Sequence, residues 1–525
     1  MDAMPQKYGE RMQMQRSALY AIAVLGAGVG LFVLNLWRNR FFLHDDAFIS
    51  LKYAQNLVTH GELSWNLGDH VEGYTNFLYV LLTAGLIRLG VDPVAALHVL
   101  NGLAVILLIW AVYHGACHLF PNDIALQALA VTLALGNVSL AVWVYGGLEA
   151  PVAAAFVGWG AAFIVAGMRG DQRRSYAAAG VCLALAVLTR PDGVIIVAAA
   201  AIAVFFAAHA GWRARFIAAL LVGGIPFVVF MAHLAWRVGY YGDVVPNTFH
   251  AKVGLDLWHR LGKVPEYLAQ SALLYMPVIT CAAVASAAAF WRGHLTRTWV
   301  VLCAICASFA AYIIWSGGDH MAAARVFLPV LVPAALLSVA ALGTLPAPWR
   351  FGVSLGLIGL LCLGNLNARS FRMDWAAFNG TIVGRYINDT WPAGSLVALN
   401  TVGSTPYFGS AHRYIDMLGL NDRTIAQRSD VPVLARRQAM PGHGKGDGAY
   451  VLSREPDYII LGGSEGIDIA DAEKWFLTGV ELRAMPEFVA CYHMNRIVLP
   501  VPSDLRIYRP DAGPVTFTYY ENTCG

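Results

Sequence analysis

The stretch SALYAIAVLGAGVGLFVLNLWRNRFFLHDDAFIS, residues 17–50, decides the fold. Residues 18–37 form an almost wholly apolar run of 20 residues, the length an α-helix needs to cross a hydrocarbon layer of about 30 Å. Two bases follow, Arg38 and Arg40, and then two adjacent carboxylates, Asp45 and Asp46. Residues 1–16 are polar, carry Lys7, Arg11 and Arg16, and show no cleavable signal. The run therefore reads as a retained signal anchor, with the acidic pair just beyond its far end.

Outward from this stretch the chain stays apolar. Of its 525 residues 58% are hydrophobic and 13% charged, about half the charge of a soluble domain. The chain reads as a polytopic α-helical membrane protein. Its net charge of +3 excludes a nucleic-acid partner. About eleven spans are expected: 18–37, 94–118, 124–144, 150–168, 176–189, 194–210, 216–237, 267–291, 299–315, 327–345 and 351–366. The shorter run 77–90 reads as an interfacial or re-entrant helix.

Loop charge sets the orientation. With the N-terminus in the cytoplasm, MRGDQRRS (168–175), GWRAR (211–215), RGHLTRT (292–298) and PWR (348–350) all fall on the cytoplasmic side. The opposite loops, HDDAFIS, YGGLEA, TRPDG, YYGDVVPNTFHAK and SGGDHMAAAR, mix acids, histidines, glycines and prolines. The reading is a membrane domain, 1–366, and a non-cytoplasmic α/β domain, 367–525. Helix is expected over 375–391, and strands over 395–400, 413–417, 457–461, 488–494 and 505–508. Cys303 and Cys306 form a C-x-x-C within apolar sequence and read as packed helix residues, not as zinc ligands. Cys491 and Cys524 are the only pair outside the membrane region, and whether they bridge depends on the side they occupy.

The acidic pair has two roles to fill. One carboxylate suits the N-cap of the helix AFISLKYAQNLVTH. The other, raised in pKa by its neighbour and by partial burial, suits a general base for a hydroxyl group. Glu149, Arg190, Asp192, His250, Lys252, Asp319, His320 and Arg325 lie on the same side. Singly each reads as a helix-end residue or a structural ion pair. Together they gather the acids and bases that transfer from an anionic lipid-linked donor requires. Lys252 and Arg325 are expected at the donor phosphate, with His250, His320 and Arg190 next. MPGHGKGDG (440–448) reads either as a surface connector or as an acceptor loop reaching Asp45 through His443 and Lys445.

DDAFISLKYAQNLVTHGELSWNLGDHVEGYTNFLYVLL resembles the first outer loop of the GT-C superfamily, specifically the bacterial terminal-arabinofuranosyltransferase-like family. TRPDG, YYGDVVPNTFHAK, GGDHMAAARVFLPVLVP, IDMLGLNDRTIA and HGKGDGAYVLSREPDYIIL continue the likeness. The resemblance implies an integral membrane glycosyltransferase of the bacterial inner membrane. It would move a sugar, arabinofuranosyl first, from a polyprenyl phosphate to a glycan, lipid-linked or protein acceptor. By position Asp45 matches the superfamily's catalytic acid, with Asp46 beside it and Glu149 as the second acid; a divalent metal beside Asp45 and Glu149 is compatible with this, though a monophosphate leaving group paired with Arg and Lys does not demand one. One base suits inversion, but some relatives give retention, so stereochemistry stays open. The rival readings are a mannosyl- or protein O-glycosyltransferase of the same superfamily, and a lipid-linked saccharide transporter. A transporter would place polar groups at mid-membrane, where these spans have almost none.

Overall fold

The computed structural model describes residues 3–170, 172–208, 211–252, 257–291, 293, 296–319, 321–432 and 443–524. The apolar runs fold as helices. The first span lies in α1 (Ala3–Asn39), and α2 (Asp46–His60) and α3 (Phe77–Arg88) form the loop behind it. α4 (Pro93–Leu119), α5 (Ile124–Leu135), α6 (Val138–Tyr145), α7 (Ala150–Gly170), α8 (Arg173–Thr189) and α9 (Gly193–Ala207) follow. α10 (Trp212–Tyr241), α11 (Asn247–Lys252), α12 (Leu257–Trp291), α13 (Arg297–Ser316), α14 (Leu331–Leu342) and α15 (Ala347–Asn367) complete the bundle. Among the described residues seven helices are long and apolar enough to cross a membrane, or eight if the pair α5–α6 is one span. The protein is multi-pass.

The difference from eleven has particular causes. The expected span 124–144 breaks before Asn137, whose side chain caps α6 by accepting from Leu140 N, and the two halves bend by 50°. The spans expected at 176–189 and 194–210 lie in α8 and α9, of 17 and 15 residues. At 1.5 Å per residue these reach about 22–26 Å, short of the hydrocarbon thickness. The span at 267–291 lies in α12, which has 35 residues, several with side chains outside the described set. Residues 77–90 fold as the short helix α3, as expected.

Beyond α15, α16 (Trp375–Thr390) opens the second domain. Its five strands are β1 (Leu396–Leu399), β2 (Arg413–Asp416), β3 (Tyr458–Ile460), β4 (Tyr492–Leu499) and β5 (Val515–Asn522), ordered β2-β1-β3-β5-β4. β1 runs parallel to both β2 and β3, and β5 runs antiparallel to β3 and β4. Because strand side chains alternate, Val397 and Leu399 join one continuous core with the helix bundle and α16, while Ala398 joins a smaller core on the opposite face. α17 (Ser404–Phe408), α18 (Arg423–Gln427), α19 (Gly448–Ser453), α20 (Ile469–Ala472), α21 (Leu477–Ala484) and α22 (Pro486–Cys491) complete the domain.

Two strand expectations are corrected. Residues 488–491 belong to α22, where Pro486 pre-sets the first turn, and pairing with β5 starts only at Tyr492. Residues 505–508 form the end of a 3-10 turn and its exit. Cys491 and Cys524 are joined by a disulfide.

The domains are stitched beside the acidic pair. Phe371 N donates to Asn39 Oδ1, Met373 N to Phe41 O and Asp374 N to Leu43 O, at 2.7, 2.6 and 3.0 Å. Two loops at the carboxyl ends of β1 and β2 then meet the first loop of the membrane domain.

Candidate active site

Asp45 stands at the N-cap position of α2 with helical backbone, and its side chain makes no capping bond. The capping role expected for one carboxylate is filled by neither: Asp45 points away from α2, and Asp46 is already its first residue. The Asp45 carboxylate faces the loop after β1, accepting from Gly403 N (3.1 Å), Ser404 N (2.9 Å) and Ser404 Oγ (2.7 Å). Gly403 is required there, since a Cβ would lie 2.3 Å from Asp45 O and Oδ2. Burial and the nearby Asp374 carboxylate push Asp45 up to about 7, against the pull of the Ser404 bonds. Asp45 thus lies enclosed between domains, 6% exposed.

The neighbouring motif makes a second such joint. Gly73 of VEGYTN packs so close to Asn421 that a Cβ would lie 1.8 Å from Asn421 Oδ1, and Gly73 N donates to the Tyr53 hydroxyl at 2.8 Å. Asn421 is itself set by Asp416, which accepts from Leu418 N, Gly419 N, Asn421 N and Asn421 Nδ2. Glu72 is buried and paired with Arg237 of α10. Lys52, on the buried face of α2, donates to Pro406 O at 2.8 Å and lies over the rings of Trp65 and Tyr414. Burial pushes Lys52 down to about 7, and Glu72 and Asp416 up to about 7.

Asp46 is placed differently. Its side chain is 39% exposed, and His44 Nδ1 lies 3.8 Å from Asp46 Oδ1 while His44 Nε2 lies 3.7 Å from Asp374 Oδ2. Asp374 in turn caps α16, accepting from Ala377 N, and accepts from Asp45 N at 2.8 Å. His44 Nδ1 accepts from Asp46 N at 3.2 Å, so the imidazole stands between the two carboxylates, fixed by the backbone of Asp46.

One turn along α2 from Asp46 stands Ser50, on the same helix face. Ser50 Oγ accepts from Asn76 Nδ2 at 3.0 Å, and Asn76 Nδ2 also lies 3.3 Å from Glu149 Oε2. Glu149 is buried at the start of α7 and paired with Arg190 Nη1 at 2.8 Å. Arg190 spends Nε and Nη2 on Asp192, at 3.1 and 2.6 Å. Arg325 Nη1 lies 3.8 Å from Glu149, and its Nε donates to Asp319 at 2.9 Å. The Arg325 guanidinium also lies 5.2 Å from the centre of the Trp143 ring, whose Nε1 donates to Ala322 O. Ala323 and Ala324, just before Arg325, hold φ of 54° and 49°. Such left-handed backbone costs an alanine about 1–2 kcal/mol each, and the fold bears it where it aims Arg325 at the acids. Three carboxylates and two guanidiniums thus form one network, with an Nη2 edge of Arg325 outside the bonds described.

Three separate loops thus converge, bearing Glu149, Arg190 with Asp192, and Asp319 with Arg325, and Asn76 links them to Ser50, one turn along α2 from Asp46. Other expected residues lie apart. His250 Nε2 is 3.0 Å from Asp243 Oδ2, in a contact shared with Gln427. Lys252 ends α11, exposed and without a partner among the described residues. His320 lies outside the described residues, as do 440–442 of the proposed acceptor loop. The rest of that loop turns away from Asp45: Lys445 Nζ donates to Arg428 O at 2.7 Å, and Gly446 and Gly448 pack against Thr478 and Glu481 of α21. His443 sits in this same segment, half-buried. These contacts suit the surface connector of the two readings. Asp45 and Glu149 do not make a cation site either, since their oxygens are taken by Gly403 and Ser404, and by Arg190 and Asn76. Among the described residues no cluster of three or more His, Cys, Asp or Glu side chains is placed to hold a metal. The sequence reading missed His44, Ser50, Asn76 and Asp374. His44 and Asn76 stand inside the quoted motifs, whereas Asp374 is 329 residues from Asp45 and only the fold brings it there.

Residues 355–508 match a family described only as a domain of unknown function, DUF8728. The chain is 28% identical over 241 residues to a terminal β-(1→2)-arabinofuranosyltransferase of Mycobacterium tuberculosis, a match covering 42% of this chain and 36% of that protein. It therefore spans little more than a third of this relative's length. The fold is that of an Archaeoglobus fulgidus oligosaccharyltransferase tethered to an acceptor peptide, at TM-score 0.54, 11% identity, 95% of this chain and 74% of that one. It is also that of ArnT from Cupriavidus metallidurans bound to undecaprenyl phosphate, at TM-score 0.52, 13% identity, 75% of this chain and 85% of that one. The chain has the GT-C fold.

Proposed function

We propose that the protein is a glycosyltransferase that moves a sugar, an arabinofuranosyl residue, from a polyprenyl phosphate to an acceptor hydroxyl. The observation that carries this reading is the placing of one accessible carboxylate, Asp46, a helical turn from the Ser50–Asn76–Glu149 link into the arginine network. The mycobacterial relative supports the sugar, and the undecaprenyl phosphate named with ArnT supports the carrier.

In the proposed reaction the acceptor oxygen attacks the anomeric carbon, and the bond from that carbon to the phosphate oxygen breaks. The proton of the acceptor passes to Asp46, whose exposure lets a hydroxyl reach it. His44, whose Nδ1 accepts from Asp46 N, holds the backbone at the base. The lipid phosphate leaves with its negative charge, which the free edge of Arg325 is placed to stabilise. Lys252, uncommitted on the same side, is the second candidate for that charge. Arg190, with Nε and Nη2 on Asp192 and Nη1 on Glu149, serves first to hold Glu149. Asp45 positions the base by locking α2 to the second domain. The basic loops on one face, with a disulfide in the domain on the other, support a cytoplasmic N-terminus, a C-terminal domain outside the cytoplasm, and a bacterial inner-membrane location.

The test is transfer from radiolabelled decaprenyl-phosphate arabinofuranose to a short arabinofuranoside by the purified protein. Labelled product with release of decaprenyl phosphate is the expected result. Product only from a mannosyl donor would move the sugar assignment, and neither product nor donor hydrolysis would sink the enzyme reading.

A further inference from the structure

We infer that the face bearing the basic loops holds a binding site for the phosphate headgroup of an anionic lipid. A cavity of about 300 Å3 lies there between the last turns of α4 and α7 and the start of α8, lined by His114, His118, Phe163, Arg169, Gln172 and Ser175. It sits at the other end of α7 from Glu149, and the 21 residues of that helix separate the two by about 30 Å. The proposed transfer uses none of its residues.

The polar lining, His114, His118, Arg169, Gln172 and Ser175, carries several donors, and none of the described lining residues is acidic. His114 Nδ1 is buried without a partner. His118 Nδ1 lies 2.9 Å from His114 O, which leaves its Nε2 free of that contact. Arg169 spends Nη2 on Leu119 O at 2.8 Å and enters no ion pair among the described residues. Gln172 stands at the N-cap of α8 without a side-chain capping bond, which leaves its amide for the cavity it lines. Asp171, next in the chain, lies outside the described residues. An oxyanion with several acceptors is the complement of this lining.

An aromatic wall then distinguishes a lipid from a free ion. The His114 ring packs on Trp159 and Phe163 at 5.4 and 5.5 Å, Trp159 packs on Phe163 at 5.0 Å, and Trp110 lies 6.3 Å from Trp159. Trp110 is 60% exposed, and Leu103 and Leu107 below it on α4 are exposed too. The wall therefore runs from the cavity onto the lipid-facing surface, a path for an acyl chain whose head the donors hold. Basic pockets between membrane helices recognise anionic headgroups in this way.

The test is native mass spectrometry of the full chain in detergent, titrated with dioctanoyl phosphatidic acid and, separately, with inorganic phosphate. One saturable lipid is expected, bound at least ten-fold more tightly than phosphate. Arg169→Gln and His118→Gln should each weaken it about ten-fold, the loss of one charge-assisted or buried hydrogen bond. Arg169 also holds the Leu119 carbonyl, so His118→Gln decides the matter if Arg169→Gln does not fold. Folded variants that bind the lipid as wild type does would overturn the site. Phosphate binding as tightly as the lipid would overturn the lipid.

Discussion

Replacing Asp45 by Asn should loosen the second domain from the first loop, by an amount that depends on pH. The Asn amide keeps one oxygen for the two donors of Ser404, but turns an NH2 toward Gly403 N, which now donates to Asp45 Oδ2 at 3.1 Å. A buried donor facing a donor costs about 2 kcal/mol, roughly a 30-fold rise in the opening equilibrium. Hydrogen exchange at Gly403 and Ser404 reads that opening, with each variant compared with wild type at the same pH. The carboxyl of Asp45 is raised from 3.8 to about 7. Its contribution to docking is thus whole below the ordinary carboxylate range and is lost as pH rises through about 7. Asn has no such titration. The gap should be widest below about pH 4, shrink as pH rises toward 7 and be gone by pH 8, while Lys52, Glu72 and Asp416 titrate alike in both proteins and cancel. No gap at about pH 4, or a gap that widens with pH, would refute the proposed lock.

Glu149→Gln should cost about 3 kcal/mol by breaking a buried charge network, seen as a lower unfolding temperature in detergent, and should depress transfer as well. Lys52→Met should raise stability at pH 6 and change it little at pH 10. The Lys52 pKa is lowered to about 7, so the stability tied to its neutral form is present in alkali and lost as pH falls through that value, and Met keeps the packing on Trp65 and Tyr414; equal unfolding temperatures at pH 6 would count against it. Cys491→Ser opens a loop with a sequence separation of 33, worth about 3 kcal/mol in loop-closure entropy, and should lower the unfolding temperature of the second domain as reduction does in the wild type.

The sequence carried the fold wherever a local period was strong. The apolar runs of α1, α4, α7, α10 and α13 stand close to their expected places, as do α16, β1, β2 and β3. Short apolar runs were ambiguous: α8 and α9 have the composition of spans but not the length. β5 is absent from the expected strands although TFTYY has the β-branched and aromatic make-up of one. One face of the second domain's sheet shares its core with the bundle, and the other buries a smaller core of its own. At the site the residue types and their common side were legible, and their pairings were not. Adjacent aspartates look alike in a sequence. What separates Asp45 from Asp46 is a loop some 360 residues away, Gly403–Ser404, whose donors close over one carboxylate and leave its neighbour open.

The central claim is that Asp46 is the catalytic base and Asp45 the lock that positions it, and paired turnover measurements of Asp46→Asn and Asp45→Asn test it most directly. With saturating polyprenyl-phosphate sugar and acceptor, Asp46→Asn should lose at least 100-fold in kcat with exchange at Gly403 and Ser404 unchanged. Asp45→Asn should keep kcat within about ten-fold at pH 8, where its domains stay docked. Turnover by Asp46→Asn within a few-fold of wild type, with Asp45→Asn inactive at that pH, would contradict the account and return the base to the enclosed carboxylate.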